Sequence, residues 1–439
     1  MTRRYAQRLR LVISMSSPVD IVHRMSIAIL ALTLFAAAAL GLHLLSVAVA
    51  MRRCRPTPSL PTPAPESPPV SIVLPVCGLE NYIEDTLRSA FRLDYPRYEL
   101  IFCAARPDDA AVPLVQRLMA DHRWIDARLL IGDERISDNP KLNNVFKGWR
   151  EATHPFVSIC DSNVLLPRDY IQRLLSRFDA ETGLVCSPPI GSRPDGFFAE
   201  VECAMLNNYQ ARWQYFADAI GFGFAQGKTL FKVRLMQPPV RQPLGVRKAR
   251  DVWKRQRRWA RLRRASFPFW FSLEIFSGAL PPLIAMIAAA LLAGISPLLP
   301  ALGFVAAWYG AEWLLSAKAG WHAAPRLVAA CMLRDAMLPA LYVNAWLGRG
   351  FEWRGHDMRA VEGARSSSDT NTGSSALAGD DKETPHESRD RRPQGHRLRI
   401  EPGARLWLRP GPGAGGMRGC DQRSRSGPAG GSGRRDREG

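Results

Sequence analysis

Apolar and polar positions divide this chain into two membrane-like blocks around a region of mixed period. Residues 25–51 form an uncharged apolar run, bounded by Arg24 on one side and by Arg52, Arg53 and Arg55 on the other. About 20 such residues span a bilayer core, so the run predicts a transmembrane helix. A secretory leader would have a shorter apolar core and a small-residue cleavage site. Further apolar stretches at 277–295, 297–317 and 327–347 predict a second membrane block. The last carries Arg334-Asp335. Charges at mid-bilayer are expensive, so this stretch is expected to lie in the interface or to face other helices, and the number of crossings stays open.

Between the blocks the period changes. Residues 70 to 231 alternate short β-branched runs (70–75, 99–104, 127–131, 156–160, 183–186) with helical patterns (81–92, 110–121, 141–152, 168–178). This order predicts an α/β domain with a mostly parallel sheet, right-handed crossovers and ligands at the carboxyl ends of the strands. Residues 52–69 hold a Pro-rich run expected to be an extended spacer that keeps the domain off the bilayer. From 363 to 439 large apolar residues almost vanish, which predicts a disordered tail. Its abrupt onset suits a frame-shifted or run-on end. The expected organisation is a basic segment 1–24, a transmembrane helix 25–51, a linker 52–69, a catalytic-type domain 70–264, membrane helices 265–350 and the tail 363–439.

Charge adds a partner. The 439 residues carry a formal net charge of +19, which calls for nucleic acid, a phospholipid surface or a phosphorylated substrate. The eight cysteines form no CxxC pair, so neither a zinc site nor a disulfide framework is supported and a reducing compartment fits best. Basic residues flank both ends of the first helix, but the cluster at 241–264 directly precedes the second membrane block and argues for a cytosolic middle domain.

Candidate chemistry collects just after the strands. Asp108 and Asp109 follow the second, Lys141 and Asn143 open the helix after the third, and Asp161 ends the fourth. A carboxylate at the rim of a buried strand suits Mg²⁺ or Mn²⁺ holding a diphosphate, and Lys141 could meet phosphate oxygens. Singly, each has an ordinary reading as a cap or a solvated side chain. Together and in sheet order they predict a nucleotide site. In the basic stretch 247–264, Arg255 and Trp259 share a helical face, as do Arg258 and Arg261. That face could clamp a diphosphate, and the helix should also meet anionic lipid. Nucleic acid is not expected, because the run abuts a membrane segment and lacks an interleaved stacking platform.

The stretches 73–78, Leu93-Asp94-Tyr95-Pro96-Arg97-Tyr98-Glu99, Asp126-Ala127-Arg128-Leu129, Asn139-Pro140-Lys141-Leu142-Asn143-Asn144, Cys160-Asp161-Ser162 and Arg255-Gln256-Arg257-Arg258-Trp259 together resemble the ceramide glucosyltransferases. These form glycosyltransferase family 21 of the glycosyltransferase 2-like superfamily. The resemblance implies a GT-A fold flanked by membrane helices, and inverting transfer of glucose from UDP-glucose to the primary hydroxyl of ceramide on the cytosolic face. It also implies three separated aspartates followed by (Q/R)xxRW. Asp108 with Asp109 matches the first, Asp161 matches the second as the metal and diphosphate site, and Arg255, Arg258 and Trp259 match the last.

The third acidic motif, which implies the catalytic base, is missing. Between Gly221 and Arg255 the only acidic residue is Asp251, within the basic helix. A strand expected at 223–231 runs on to Val233 without the roughly dozen residues that a parallel connection needs, which reads as an internal deletion near 232–233. Glu200, Glu202 or Asp218 would have to substitute, though nothing in their spacing recommends them. The leading expectation is a membrane-bound ceramide glucosyltransferase whose activity in this copy is impaired. Alternatives are another lipid acceptor, such as a hopanoid or diacylglycerol, and a non-catalytic nucleotide- and lipid-binding membrane protein.

Overall fold

The computed structural model describes residues 18–137, 139–223, 232–348, 350–353, 356–359 and 405–408. Helix α1 (Pro18–Arg53) leads through the Pro-rich segment into β1 (Val70–Pro75), α2 (Ile83–Ala90), β2 (Tyr98–Ala104), α3 (Ala111–Asp121), β3 (Asp126–Ile131), α4 (Pro140–Glu151), β4 (Phe156–Ile159), α5 (Tyr170–Leu175) and β5 (Thr182–Cys186). Strand β6 (Ile190–Asp195) precedes α6 (Phe197–Cys203), which continues through a π-helical stretch (Ala204–Ala211) into α7 (Arg212–Ala219). Then come β7 (Lys232–Leu235), β8 (Arg241–Val246), α8 (Ala249–Ser266), α9 (Pro268–Leu273), α10 (Leu280–Leu292), α11 (Leu298–Lys318) and α12 (Leu327–Leu347). Strands β9 (Gly350–Trp353), β10 (His356–Arg359) and β11 (Arg405–Leu408) complete the described chain.

The central sheet has seven strands in the order β3-β2-β1-β4-β11-β5-β7. All pairings within β3-β2-β1-β4 and between β5 and β7 are parallel, while β11 runs antiparallel to β4 and β5. The α/β, mostly parallel, GT-A-like architecture expected from the sequence is therefore present. Every residue of β1 and β2 is buried, which explains why these strands read as apolar runs interrupted only at Ser71 and Glu99, which hydrogen-bond to each other. Successive side chains go to opposite faces. Ile72, Leu74, Leu100 and Phe102 pack on one side with Leu87 and Tyr170. Val73, Ile101 and Cys103 pack on the other with Val145 and Ile159.

Two expectations about the connecting segments change. The Pro-rich stretch does not stand clear of the domain but is strapped to it. The Leu60 amide donates to Asp169 Oδ2 at 2.7 Å, Arg173 Nη1 donates to Thr57 Oγ1 at 2.6 Å, and Tyr95 Oη donates to the Pro68 carbonyl at 2.6 Å. Proline lacks a donor but keeps its carbonyl, so such a segment docks mostly through bonds it accepts, with Leu60 supplying a donated one. In the tail, Arg405–Leu408 forms β11 where β4 and β5 would otherwise leave backbone groups unpaired. The rest of 363–439 lies outside the described residues, as do 1–17 of the basic segment and 224–231 of the expected strand at 223–231.

The helices at 22–53, 298–318 and 327–347 are long and apolar enough to cross a membrane, and α9 with α10 forms a bent pair that could make a fourth span. Arg334 and Asp335 face other helices. Arg334 meets both carboxylate oxygens of Glu312 from α11, at 2.9 and 3.0 Å, and Asp335 at 2.9 Å. Asp335 also accepts from Tyr309 Oη at 3.0 Å and from the Ala279 amide at 3.3 Å. Pairing and complete burial of this kind are how charges are tolerated at membrane depth.

Candidate functional site

The loops after β1, β2, β3 and β4 meet at one rim of the sheet. Asn139 caps α4, its side chain accepting from the Lys141 and Leu142 amides, and Pro140 sits at the first helical position, where no amide donor is required. This start aims Lys141 across the rim, where its Nζ donates to Asp161 Oδ1. Both side chains keep some access to solvent, 18% for Lys141 and 12% for Asp161. Asn163 donates to Glu80 Oε2 at 2.9 Å beside them.

The other rim candidates divide by what their polar atoms do. Asp109 Oδ1 accepts from the Gly78 and Ala111 amides at 2.8 and 2.9 Å, tying the turn after β1 to the start of α3. Asp108 is exposed and pairs with Arg106 at 2.9 Å. Asn143 is buried; its Oδ1 accepts from the Ser137 amide at 3.0 Å and its amide donates to the Ser137 carbonyl at 3.1 Å, so it shapes the loop preceding α4. Lys147, which sequence reasoning passed over, donates from the same helix to the Ala104 and Gly132 carbonyls at 2.9 and 2.6 Å, joining the ends of β2 and β3. Burial lowers its pKa from the ordinary lysine value. Only its place on the inward face of an amphipathic helix signalled this role.

A second group lies on α8. Arg255 Nη1 reaches Glu202 Oε1 at 2.6 Å, and Arg255 Nη2 donates to Gln242 Oε1 at 3.3 Å. Arg247 Nε approaches Glu202 Oε2 at 3.4 Å. Arg258 and Trp259 are half-buried, and the buried indole Nε1 of Trp259 makes no hydrogen bond among the described residues. Asn81 connects the two groups, because its amide donates to the Leu244 and Val246 carbonyls at 2.8 and 3.3 Å and so fixes the end of β8 beside the turn after β1.

The three carboxylates considered as substitute bases all pair with arginine, although Glu200 Oε2 is buried without a hydrogen bond among the described residues. Glu200 meets Arg326 at 2.9 Å and His322 at 3.6 Å, Glu202 meets Arg255 and Arg247, and Asp218 pairs with Arg53. Asp251 is exposed. Among the described residues no three His, Cys, Asp or Glu side chains gather as a metal cluster. The donor set still fits one hard divalent ion of the Mg²⁺ type, which typically takes one or two carboxylates and completes its shell with phosphates and water, provided Lys141 leaves Asp161.

The sequence profile of Glycosyl transferase family 21 matches residues 29–232 and 229–366. Ceramide glucosyltransferase 3 of Caenorhabditis elegans is 33% identical over 137 residues, covering 31% of this chain and 30% of that protein. A ceramide glucosyltransferase of Komagataella phaffii is 36% identical over 140 residues, covering 28% and 27%. The chain thus spans about a third of the length of the curated relatives it matches. Among solved structures, a mannosyltransferase from Pyrobaculum calidifontis in complex with GDP-Man and Mn²⁺ is 20% identical, covers 70% of this chain and 99% of that one, and has a TM-score of 0.38.

Proposed function

The chain belongs to glycosyl transferase family 21, and from that premise we propose that it is a membrane glycosyltransferase built to move glucose from UDP-glucose to ceramide, with turnover impaired in this sequence. The Lys141–Asp161 pair at the end of β4 carries the reading, since it sets one cation and one carboxylate where the strand ends converge. Asp161 would hold Mg²⁺ or Mn²⁺, which when bound neutralises the diphosphate. Lys141 and Arg255 hold the leaving diphosphate by charge-assisted hydrogen bonds, and the half-buried Arg258 and Trp259 border it. Asp109 acts at one remove, by fixing the Gly78 turn that borders the nucleotide. The cytosolic face is favoured by the basic helix α8, whose exposed Lys248, Arg250 and Lys254 suit anionic lipid headgroups.

Inverting transfer requires a group that takes the acceptor proton as the hydroxyl attacks the anomeric carbon. Glu200, Glu202 and Asp218 each pair with arginine, Glu200 through Oε1 alone, and the two profile matches meet at 229–232, where the sequence reads as shortened. These observations favour a second reading in which the chain binds nucleotide and lipid without turnover. One experiment separates them. Full-length protein in detergent is titrated with UDP and assayed with UDP-glucose and ceramide, hopanoid or diacylglycerol, before and after a family-like segment carrying Glu-Asp is inserted between Lys232 and Val233. UDP binding with turnover only after insertion is expected, the missing base being worth roughly a hundred- to ten-thousand-fold. Full turnover without insertion refutes the impairment, and loss of UDP binding refutes the donor site.

A further inference from the structure

Glu202 is 1% exposed, lies on α6, and receives two arginines, one from the turn that leads into α8 and one from α8 itself. Arg247 precedes α8 and Arg255 lies within it, so a single carboxylate fixes both the entry of that helix and the first arginine of its RxxRW sequence. Gln242 on β8 takes the other terminal nitrogen of Arg255. The guanidinium is thereby held at two nitrogens, while its third, Nε, is buried and without a hydrogen bond among the described residues. A buried donor in that state costs stability unless a ligand or solvent meets it.

The neighbouring Glu200 provides a contrast within one helix. It is equally buried at 2% exposed, but its partners, Arg326 and His322, come from the segment between α11 and α12. One carboxylate of α6 therefore ties the domain to the segment joining the membrane helices, and the other acts on α8 and the turn that leads into it. Charge balance for a basic helix would explain a carboxylate near α8. It does not explain one withdrawn from solvent and directed at Arg255.

We propose that Glu202 is a positioning residue for the donor diphosphate, orienting Arg255 so that its guanidinium meets the nucleotide in a fixed pose. This rests on the reading of α8 as a diphosphate-binding helix. Preorganisation is the physical gain, because an arginine already immobilised loses little rotamer freedom when the anion arrives.

The test is UDP affinity of the full chain in detergent, by calorimetry, with thermal midpoints measured in parallel. Glu202→Gln should weaken UDP about tenfold, the order of the cost of re-immobilising one long side chain on binding. Glu200→Gln should lower the thermal midpoint as much or more and leave UDP affinity unchanged. Adding Glu202→Gln to Arg255→Ala should weaken binding no further than Arg255→Ala alone. Equal losses from Glu202→Gln and Glu200→Gln would make the role structural and overturn the proposal, as would additive losses in the double variant. If Arg255→Ala weakens UDP while Glu202→Gln does not, positioning fails and the diphosphate reading survives. If Arg255→Ala has no effect, both fall. Should Glu202→Gln not fold, Glu202→Asp keeps the charge but withdraws it by one methylene, and unchanged UDP affinity there would equally overturn the assignment.

Discussion

Replacing Lys141 with methionine keeps the length of the side chain and removes its charge, so the Lys141–Asp161 contact becomes a direct probe of the donor site. In the proposed complex the ammonium leaves Asp161 for a phosphate oxygen. Losing one hydrogen bond to a charged group is worth about 1.5–3 kcal/mol, or roughly a ten- to hundred-fold loss in metal-free UDP affinity. Because Lys141 and Asp161 are only partly exposed to solvent, salt should screen this loss incompletely. The same substitution frees Asp161 Oδ1, so Mn²⁺ should bind the variant more tightly, by a comparable factor, because no resident cation has to be displaced. Calorimetry with UDP in EDTA gives the first number, and the paramagnetic signal of free Mn²⁺ gives the second. Unchanged UDP affinity together with unchanged or weaker Mn²⁺ binding would reduce the pair to a structural strut and remove Asp161 from the metal site.

Two further outcomes test the surroundings of the site. A Cβ added at Gly148 would lie 2.5 Å from Val73 Cγ1 and 2.6 Å from Cys103 Sγ, so Gly148→Ala should push α4 off the sheet, destabilise the protein by about 1–3 kcal/mol in chemical denaturation and weaken UDP through Lys141. Arg334→Leu strands the carboxylates of Glu312 and Asp335 inside the helix bundle and should cost about 3–5 kcal/mol, read as a lower thermal midpoint in detergent. Most of that loss should return in the double variant Arg334→Leu with Glu312→Leu, and an equal loss in both would contradict the ion-pair account.

What the sequence disclosed depended on how far apart the interacting residues were. Strands β1 and β2 were legible because burial on both faces leaves largely apolar runs, and α4 because Asn139-Pro140 is a local start signal. Asp161 and Lys141 were found one at a time by position, and the fold joined them across 20 residues. The pairing of Glu202 with Arg255 left no local trace, since neither has the other within a helical turn, and Glu202 looked like a spare base rather than an arginine's anchor. Arg334 was recognised as needing a partner, but nothing in the apolar pattern of α11 named Glu312. Asn143, expected at the nucleotide site because of its place at the rim, hydrogen-bonds to its own loop, a contact no local pattern announced. Strand β11 was hidden by its setting, four residues within a tail whose composition argues against structure.

The unbroken run from α6 through the π-helical stretch to α7 decides how this protein can be handled. It is part of the nominally aqueous domain, yet its polar groups are satisfied by the membrane helices. The Asn208 amide donates to the Glu312 carbonyl at 2.9 Å and to Ser316 Oγ at 3.0 Å, and Arg212 donates to Ser46 of α1. Asp218 and Glu200 take Arg53 and Arg326 in the same manner. Excising residues 70–264 would therefore release a fragment with a raw face of orphaned donors, acceptors and charges, each costly to leave unmet. Such a fragment is expected to precipitate or to recruit detergent, whereas extraction of the whole chain keeps the seam closed. The smallest autonomous unit for biochemistry is the anchored protein, and the border between the sheet domain and its anchor is one of sequence only.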